Sequence, residues 1–183
     1  MVEPMARGKI RFTRKDLEQL PEDWRAELIE GDLVMLPSPD PSHQLLVQQL
    51  VMALGAHLGP EGQPRLLFAP TDIVIDDESV LQPDVLVLPL GTRPARRPWV
   101  IPPPIWVAEV LSPKTAMRDC SVKLALYARR GVKEAWIVDP DREHVVVHAL
   151  LAGTNEVCTG AAESRVITGF RLDVAPYFAV LRG

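Results

Sequence analysis

A chain of 183 residues, 47% hydrophobic and 24% charged, has the size and apolar content of one globular domain and is not the composition of a disordered polymer. Its formal net charge of −4 argues against a protein that coats nucleic acid through an overall positive field. Apolar runs break off well short of the roughly 20 residues a membrane helix needs, and the first residues lack the apolar core of a secretion signal, so a cytoplasmic location is the default expectation.

In chain order, residues 15–20 predict a short helix, and "AELIEGDLVMLPSP" predicts two strands turning at Glu30, Gly31 and Asp32. Asp40 before Pro41 is a helix-start signal. The following "SHQLLVQQLVMALGAHLG" keeps Leu46, Gln49, Leu50, Ala53, Leu54 and Leu58 at helical spacing until Gly59-Pro60 stops it. Strands are predicted at 66–69, 71–76, 84–88 and 105–111, and the proline-rich stretch 89–104 is expected to be a surface loop. A helix over 118–130 ends at Gly131, "EAWIVD" and "HVVVHAL" form two strands about Pro140-Asp141, and "VITGFRLDV" supplies a last strand. The order predicts one α/β or α+β domain over 1–183.

Cys120 and Cys158 are far apart and belong to no CxxC pair, so both are expected to be packed thiols. Basic residues gather at 92–98 and at Lys114, Arg118, Lys123, Arg129, Arg130 and Lys133. Each group suits either a local polyanion contact or a solvated face.

Chemistry concentrates in "IWVAEVLSP". Trp106, Val107, Val110 and Leu111 have the bulk and branching of a buried strand, and Val107 and Leu111 share a face with Glu109. A carboxylate buried there without a partner costs several kcal/mol or takes up a proton, so something must compensate Glu109. Asp84 opens a second apolar strand, "PDVLVLP", and Asp72 enters a third. Were a sheet to bring Asp84 beside Glu109, the like charges would raise one pKa unless a divalent cation neutralised both. Oxygen ligands of this kind suit Mg²⁺ or Mn²⁺. A turn-forming role for Asp84 after Gln82-Pro83 is the competing reading. On the helix that follows, Asp119, Lys123 and Tyr127 form a polar stripe on an otherwise apolar circumference, which could deliver an ammonium to the carboxylates or serve as a surface ion pair.

"PDVLVLP", "VAEVLSP", the lysine of the next helix and "YARRGVKEAWIVDP" together resemble the Uma-type branch of the PD-(D/E)XK restriction-endonuclease-like superfamily. The resemblance spans most of the chain, from "AELIEG" through "AWIVDP". It implies a restriction-endonuclease-like core, a central mixed β-sheet flanked by helices, with Asp84 and Glu109 as metal ligands. The superfamily's lysine normally stands two residues after the glutamate, where this chain has Leu111. In the branch it has moved to the following helix, which points to Lys123, with Lys114 as competitor. The resemblance also brings in Glu27 as an additional metal ligand and His43 at the start of the long helix, with Asp119 and Tyr127 as supports for Lys123. His144 and His148 share a face of their strand but stand too far apart to chelate one ion, and are expected to be exposed.

The implied activity is Mg²⁺- or Mn²⁺-assisted hydrolysis of phosphodiester bonds in nucleic acid, DNA first, with a homodimer as one arrangement for cutting two strands. Two alternatives stand beside it: a non-catalytic nucleic-acid- or protein-binding member of the same fold, and a metal-dependent hydrolase of another phosphorylated substrate.

Overall fold

The computed structural model describes residues 10–21, 23–92, 101–112 and 117–182, apart from the side chains of 64 and 117–119. The basic residues beyond Thr92 in the 92–98 group, Lys114, and the side chains of Arg118 and Asp119 lie outside the described residues. A short helix α1 (Arg14–Leu17) leads into the hairpin β1 (Ala26–Ile29) and β2 (Asp32–Met35). Glu30 and Gly31 both have positive φ, 48° and 80°, the conformation that a two-residue hairpin turn requires. Helix α2 (Pro41–Gly62) starts at Asp40, whose Oδ1 accepts the His43 amide at 2.9 Å, and is broken at Gly59, where φ is 62°. The chain then forms β3 (Leu66–Phe68), β4 (Ile73–Asp76), β5 (Ser79–Leu81) and β6 (Val85–Val87). Next come β7 (Trp106–Val110), α3 (Met117–Arg130), β8 (Glu134–Asp139) and β9 (His144–Ala149). The chain closes with β10 (Thr154–Cys158), β11 (Ala161–Glu163), β12 (Arg171–Asp173) and α4 (Val174–Ala179).

The central sheet is mixed, in the order β10-β9-β8-β7-β6-β3, with β7 and β8 parallel and α3 as their crossover. Such a strand is buried on both faces, which explains why every residue of β7 and of β8 is buried. One face carries Val85, Val87, Trp106 and Ala108 and is covered by Leu46, Leu50 and Leu54 of α2 with Tyr177 and Phe178 of α4. The other carries Leu86, Val107 and Ala135, covered by Leu126 and Tyr127 of α3 and by Ile73 and Leu81. Ile73 and Leu81 come from a second, four-stranded sheet in the order β2-β1-β5-β4. Among the described residues no helix is long and apolar enough to cross a membrane.

Several elements differ from the sequence pattern. The stretch 71–76 yields a strand only from Ile73, and Asp77-Glu78 turns it back into β5, three residues too short to show periodicity. The expected last strand contracts to Arg171–Asp173 and passes straight into α4. Strands β10 and β11 also escaped the pattern, because an edge strand such as "TNEVC" is mostly exposed and polar. His144 and His148 are half-buried rather than exposed; burial lowers the pKa of His148. Neither cysteine forms a disulfide, and Cys158 is buried.

Candidate active site

Leu81 ends β5 in the smaller sheet and Val85 begins β6 in the larger, so Gln82-Pro83-Asp84 carries the chain from one sheet to the other. The β6–β7 register pairs Val85 with Ala108 and Leu86 with Val107; continued by one residue it sets Asp84 opposite Glu109. Glu109 meets Lys123 and Tyr127 of α3, whereas Asp84 meets His43 of α2. Asp84 Oδ2 also accepts the Val110 amide at 2.8 Å, replacing the strand carbonyl that β6 no longer supplies. The turn role and the site role of Asp84 are therefore one arrangement.

Helix α3 answers the question of what compensates Glu109. Lys123 and Tyr127 lie one turn apart on it, and both reach the carboxylate. Lys123 Nζ lies 3.3 Å from Oε1 and 3.4 Å from Oε2, and the Tyr127 hydroxyl donates to Oε1 at 2.5 Å. On its other side Lys123 Nζ is 2.8 Å from Glu27 Oε1, which also accepts the Gln82 amide at 2.8 Å. The ammonium thus bridges Glu27 of one sheet and Glu109 of the other. Burial opposes its charge, but Glu109 and Glu27 more than offset this and raise its pKa. Burial drives the Glu109 carboxyl from its ordinary 4.5 up to about 7: Lys123 pulls it down, while Asp84 and Glu27 push it further up. Burial together with Glu109 and Glu27 keeps the Tyr127 phenol protonated, as a donor.

His43, at the first turn of α2, places Nε2 3.2 Å from Asp84 Oδ2. Burial works against its protonation, but the hydrogen bond and charge of Asp84 raise its pKa on balance. Asp84, Glu109, His43 and Lys123 line one cleft of about 250 Å³. Lys123 also walls a larger cleft of about 1100 Å³, into which Glu27, Glu30, Asp76, Asp77 and Glu78 face. Arg11 and Arg129 line it as well, so its acidic groups are only partly offset. Asp72 instead accepts Gln82 Nε2 at 2.8 Å and lies outside both clefts. Glu134 is a third buried strand glutamate, after Glu27 and Glu109, and one that the sequence pattern did not single out. Trp136 Nε1 and the Arg165 amide satisfy it at 2.8 Å each, a structural arrangement with no titratable partner.

The family model described as "Uma2: Putative restriction endonuclease" matches residues 14–175. The chain belongs to the Uma2 family. No curated protein sequence matches it. The crystal structure of a putative nuclease of the DUF820 family from Anabaena variabilis is similar in fold, with a TM-score of 0.81 and 20% identity over 93% of this chain and 99% of that one. The restriction-endonuclease-like core implied by the sequence motifs is thus the fold of this Uma2 protein.

The donor chemistry of this Uma2 cleft fits a hard divalent cation. The carboxylates of Asp84 and Glu109 line one cleft, and burial pushes that of Glu109 up to about 7. Among the described residues no three His, Cys, Asp or Glu side chains converge on one point, so an ion here would take one or two carboxylates and keep several waters, as Mg²⁺ does. The Gln82 amide and the Lys123 ammonium both contact Glu27 at Oε1.

A carboxyl with a pKa higher folded than unfolded contributes stability that is full below its unfolded pKa and lost as pH rises through its folded pKa. In chelator-treated protein, the free energy of unfolding contributed by Glu109 is therefore expected to fall as pH rises from 4.5 to about 7. Urea unfolding at stepped pH, compared between wild type and Glu109→Gln, measures it; identical slopes would assign the proton to another group.

Proposed function

We propose that this protein is a divalent-metal-dependent nuclease that hydrolyses phosphodiester bonds, with DNA as the first substrate to test. The observation that carries the reading is the convergence of Asp84, Glu109 and Lys123 on one cleft, although they come from the link before β6, from β7 and from α3, and the usual lysine position holds Leu111. Asp84 and Glu109 would hold Mg²⁺ or Mn²⁺, with Glu27 a further ligand on the far side of Lys123. When bound, such an ion supplies Lewis acidity toward a phosphate oxygen and lowers the pKa of a coordinated water.

The chain's own groups do the rest. Lys123 presents a fixed ammonium at the edge of the cleft, where it offsets negative charge that builds on the phosphate during attack. Glu27 holds that ammonium in place, and Tyr127 fixes one oxygen of Glu109. His43 and the Val110 amide hold Asp84 by Oδ2, leaving Oδ1 for another partner.

Cleavage assays on plasmid DNA, linear DNA and an RNA of matching sequence test the reading. Cutting is expected with Mg²⁺ or Mn²⁺, to stop in EDTA, and to return when metal is restored. No cleavage of any of the three, combined with no Mn²⁺ binding by calorimetry, would rule it out in favour of a non-catalytic binding protein.

A further inference from the structure

Arg25 is a residue of the cleft that the metal chemistry leaves unused. It immediately precedes β1, two positions before Glu27, and strand alternation puts the two side chains on one face. Its carbonyl accepts the Leu36 amide at 2.8 Å, which extends the β1–β2 hairpin and fastens the residue at the cleft wall. Arg25 lines the same cleft as Asp84, Glu109 and Lys123. Yet its Nε is buried and has no hydrogen-bond partner among the described residues.

A polar atom buried without a partner is destabilising, and more so when charged. Lys123, the other long cationic side chain on the wall, is already held between Glu27 and Glu109. Arg25 has no carboxylate among its partners in the described residues. An anion with oxygens spaced to meet the planar fork of a guanidinium would pair with the outer nitrogens of Arg25, and phosphate matches that geometry. A cleft that contains Asp40, Asp84 and Glu109 also needs a cation free to attract a polyanion.

We infer that Arg25 is the substrate-binding residue of this cleft: its guanidinium grips the non-bridging oxygens of a backbone phosphate and so holds the nucleic acid against the carboxylate pair. The assignment rests on the nuclease reading and adds to it a contact made by the sheet that does not carry Asp84 or Glu109.

The test measures anisotropy of a fluorescein-labelled DNA duplex in Ca²⁺ over a range of salt, and cleavage in Mg²⁺, for wild type, Arg25→Gln, Arg25→Lys and Arg171→Gln. Arg171 is an exposed arginine paired with Glu163 and Asp173 on β12, remote in sequence from the cleft, and serves as control. Arg25→Gln is expected to weaken binding about tenfold or more and to lessen the slope of log K against log salt by about one. KM should rise by a similar factor with kcat changed less than about threefold, because a phosphate grip away from the reacting bond binds ground and transition states alike. Arg25→Lys, which keeps the charge but loses the fork, should bind severalfold more weakly than wild type, and carries the test if Arg25→Gln fails to fold. Arg25 variants that bind within about twofold of wild type, with an unchanged salt slope, overturn the assignment while leaving the nuclease reading standing. Wild type that neither binds nor cuts removes both.

Discussion

Asp84→Asn should leave a folded protein that no longer cuts. Asparagine is isosteric, and its side-chain oxygen can still accept the Val110 amide that anchors the β6–β7 junction. What it loses is the charge facing Glu109. If the two carboxylates hold a metal that contributes several kcal/mol of charge stabilisation, cleavage should fall by about 10³-fold or more, with a parallel loss of Mn²⁺ affinity in calorimetry. Glu109→Gln should lose activity comparably while keeping or gaining stability at about pH 8, because it removes a buried charge that the fold tolerates at a cost. Activity that falls without a loss of stability marks a residue kept for chemistry. Cleavage by Asp84→Asn within about tenfold of wild type would take the metal pair out of the reaction.

Lys123→Met should be the most damaging change to both stability and activity. Methionine matches the length of the lysine stem but removes the ammonium between Glu27 and Glu109, leaving two carboxylates that are 2% and 11% exposed with no counter-charge. Breaking a buried pair in this way costs about 3–5 kcal/mol, so urea unfolding at about pH 8 should show a loss of that order. The deficit should shrink at about pH 5, where Glu109 takes up a proton instead. Cleavage should fall by about 10²–10³-fold, the usual loss when one donor to a developing negative charge is removed. Lys114→Met should cut at nearly the wild-type rate. The opposite result, activity lost in Lys114→Met and kept in Lys123→Met, would move the catalytic lysine to the residue nearer in sequence to Glu109.

Much of this site can be read in the sequence because its residues violate local patterns. A glutamate in "WVAEV" is out of place for a strand of that burial, and Asp84 stands at the head of the apolar run from Val85 to Leu88. Asp40 and Pro41 announce the helix that delivers His43, and the apolar circumference of α3 singles out Lys123 and Tyr127. The family motifs then connect these segments. The mixed sheet is what the family resemblance implies, and the mostly apolar strands β7 and β8, separated by a helix, are consistent with a parallel pair.

Other features depend on contacts that no local pattern encodes. Strand β5 is three residues long, and its burial comes from pairing with Leu28 on one side and β4 on the other. Glu27 reads as surface charge near a turn; it is 1% exposed because the four-stranded sheet folds it against α3. Arg25 gave no signal at all, since one arginine before a strand is ordinary, and only its position in the cleft with an unpartnered Nε distinguishes it.

The sequence by itself determined which charges stand out as candidates, Asp84, Glu109 and Lys123, because burial cost makes a charge in an apolar strand or helix conspicuous one segment at a time. Tertiary structure alone decided how they are connected: the antiparallel register that sets Asp84 opposite Glu109, and the packing of α3 across two sheets that lets one ammonium neutralise two glutamates. Register and packing are long-range, each fixed by the fit of many side chains far apart in the chain, and they set the electrostatics that a carboxylate's neighbours in sequence cannot.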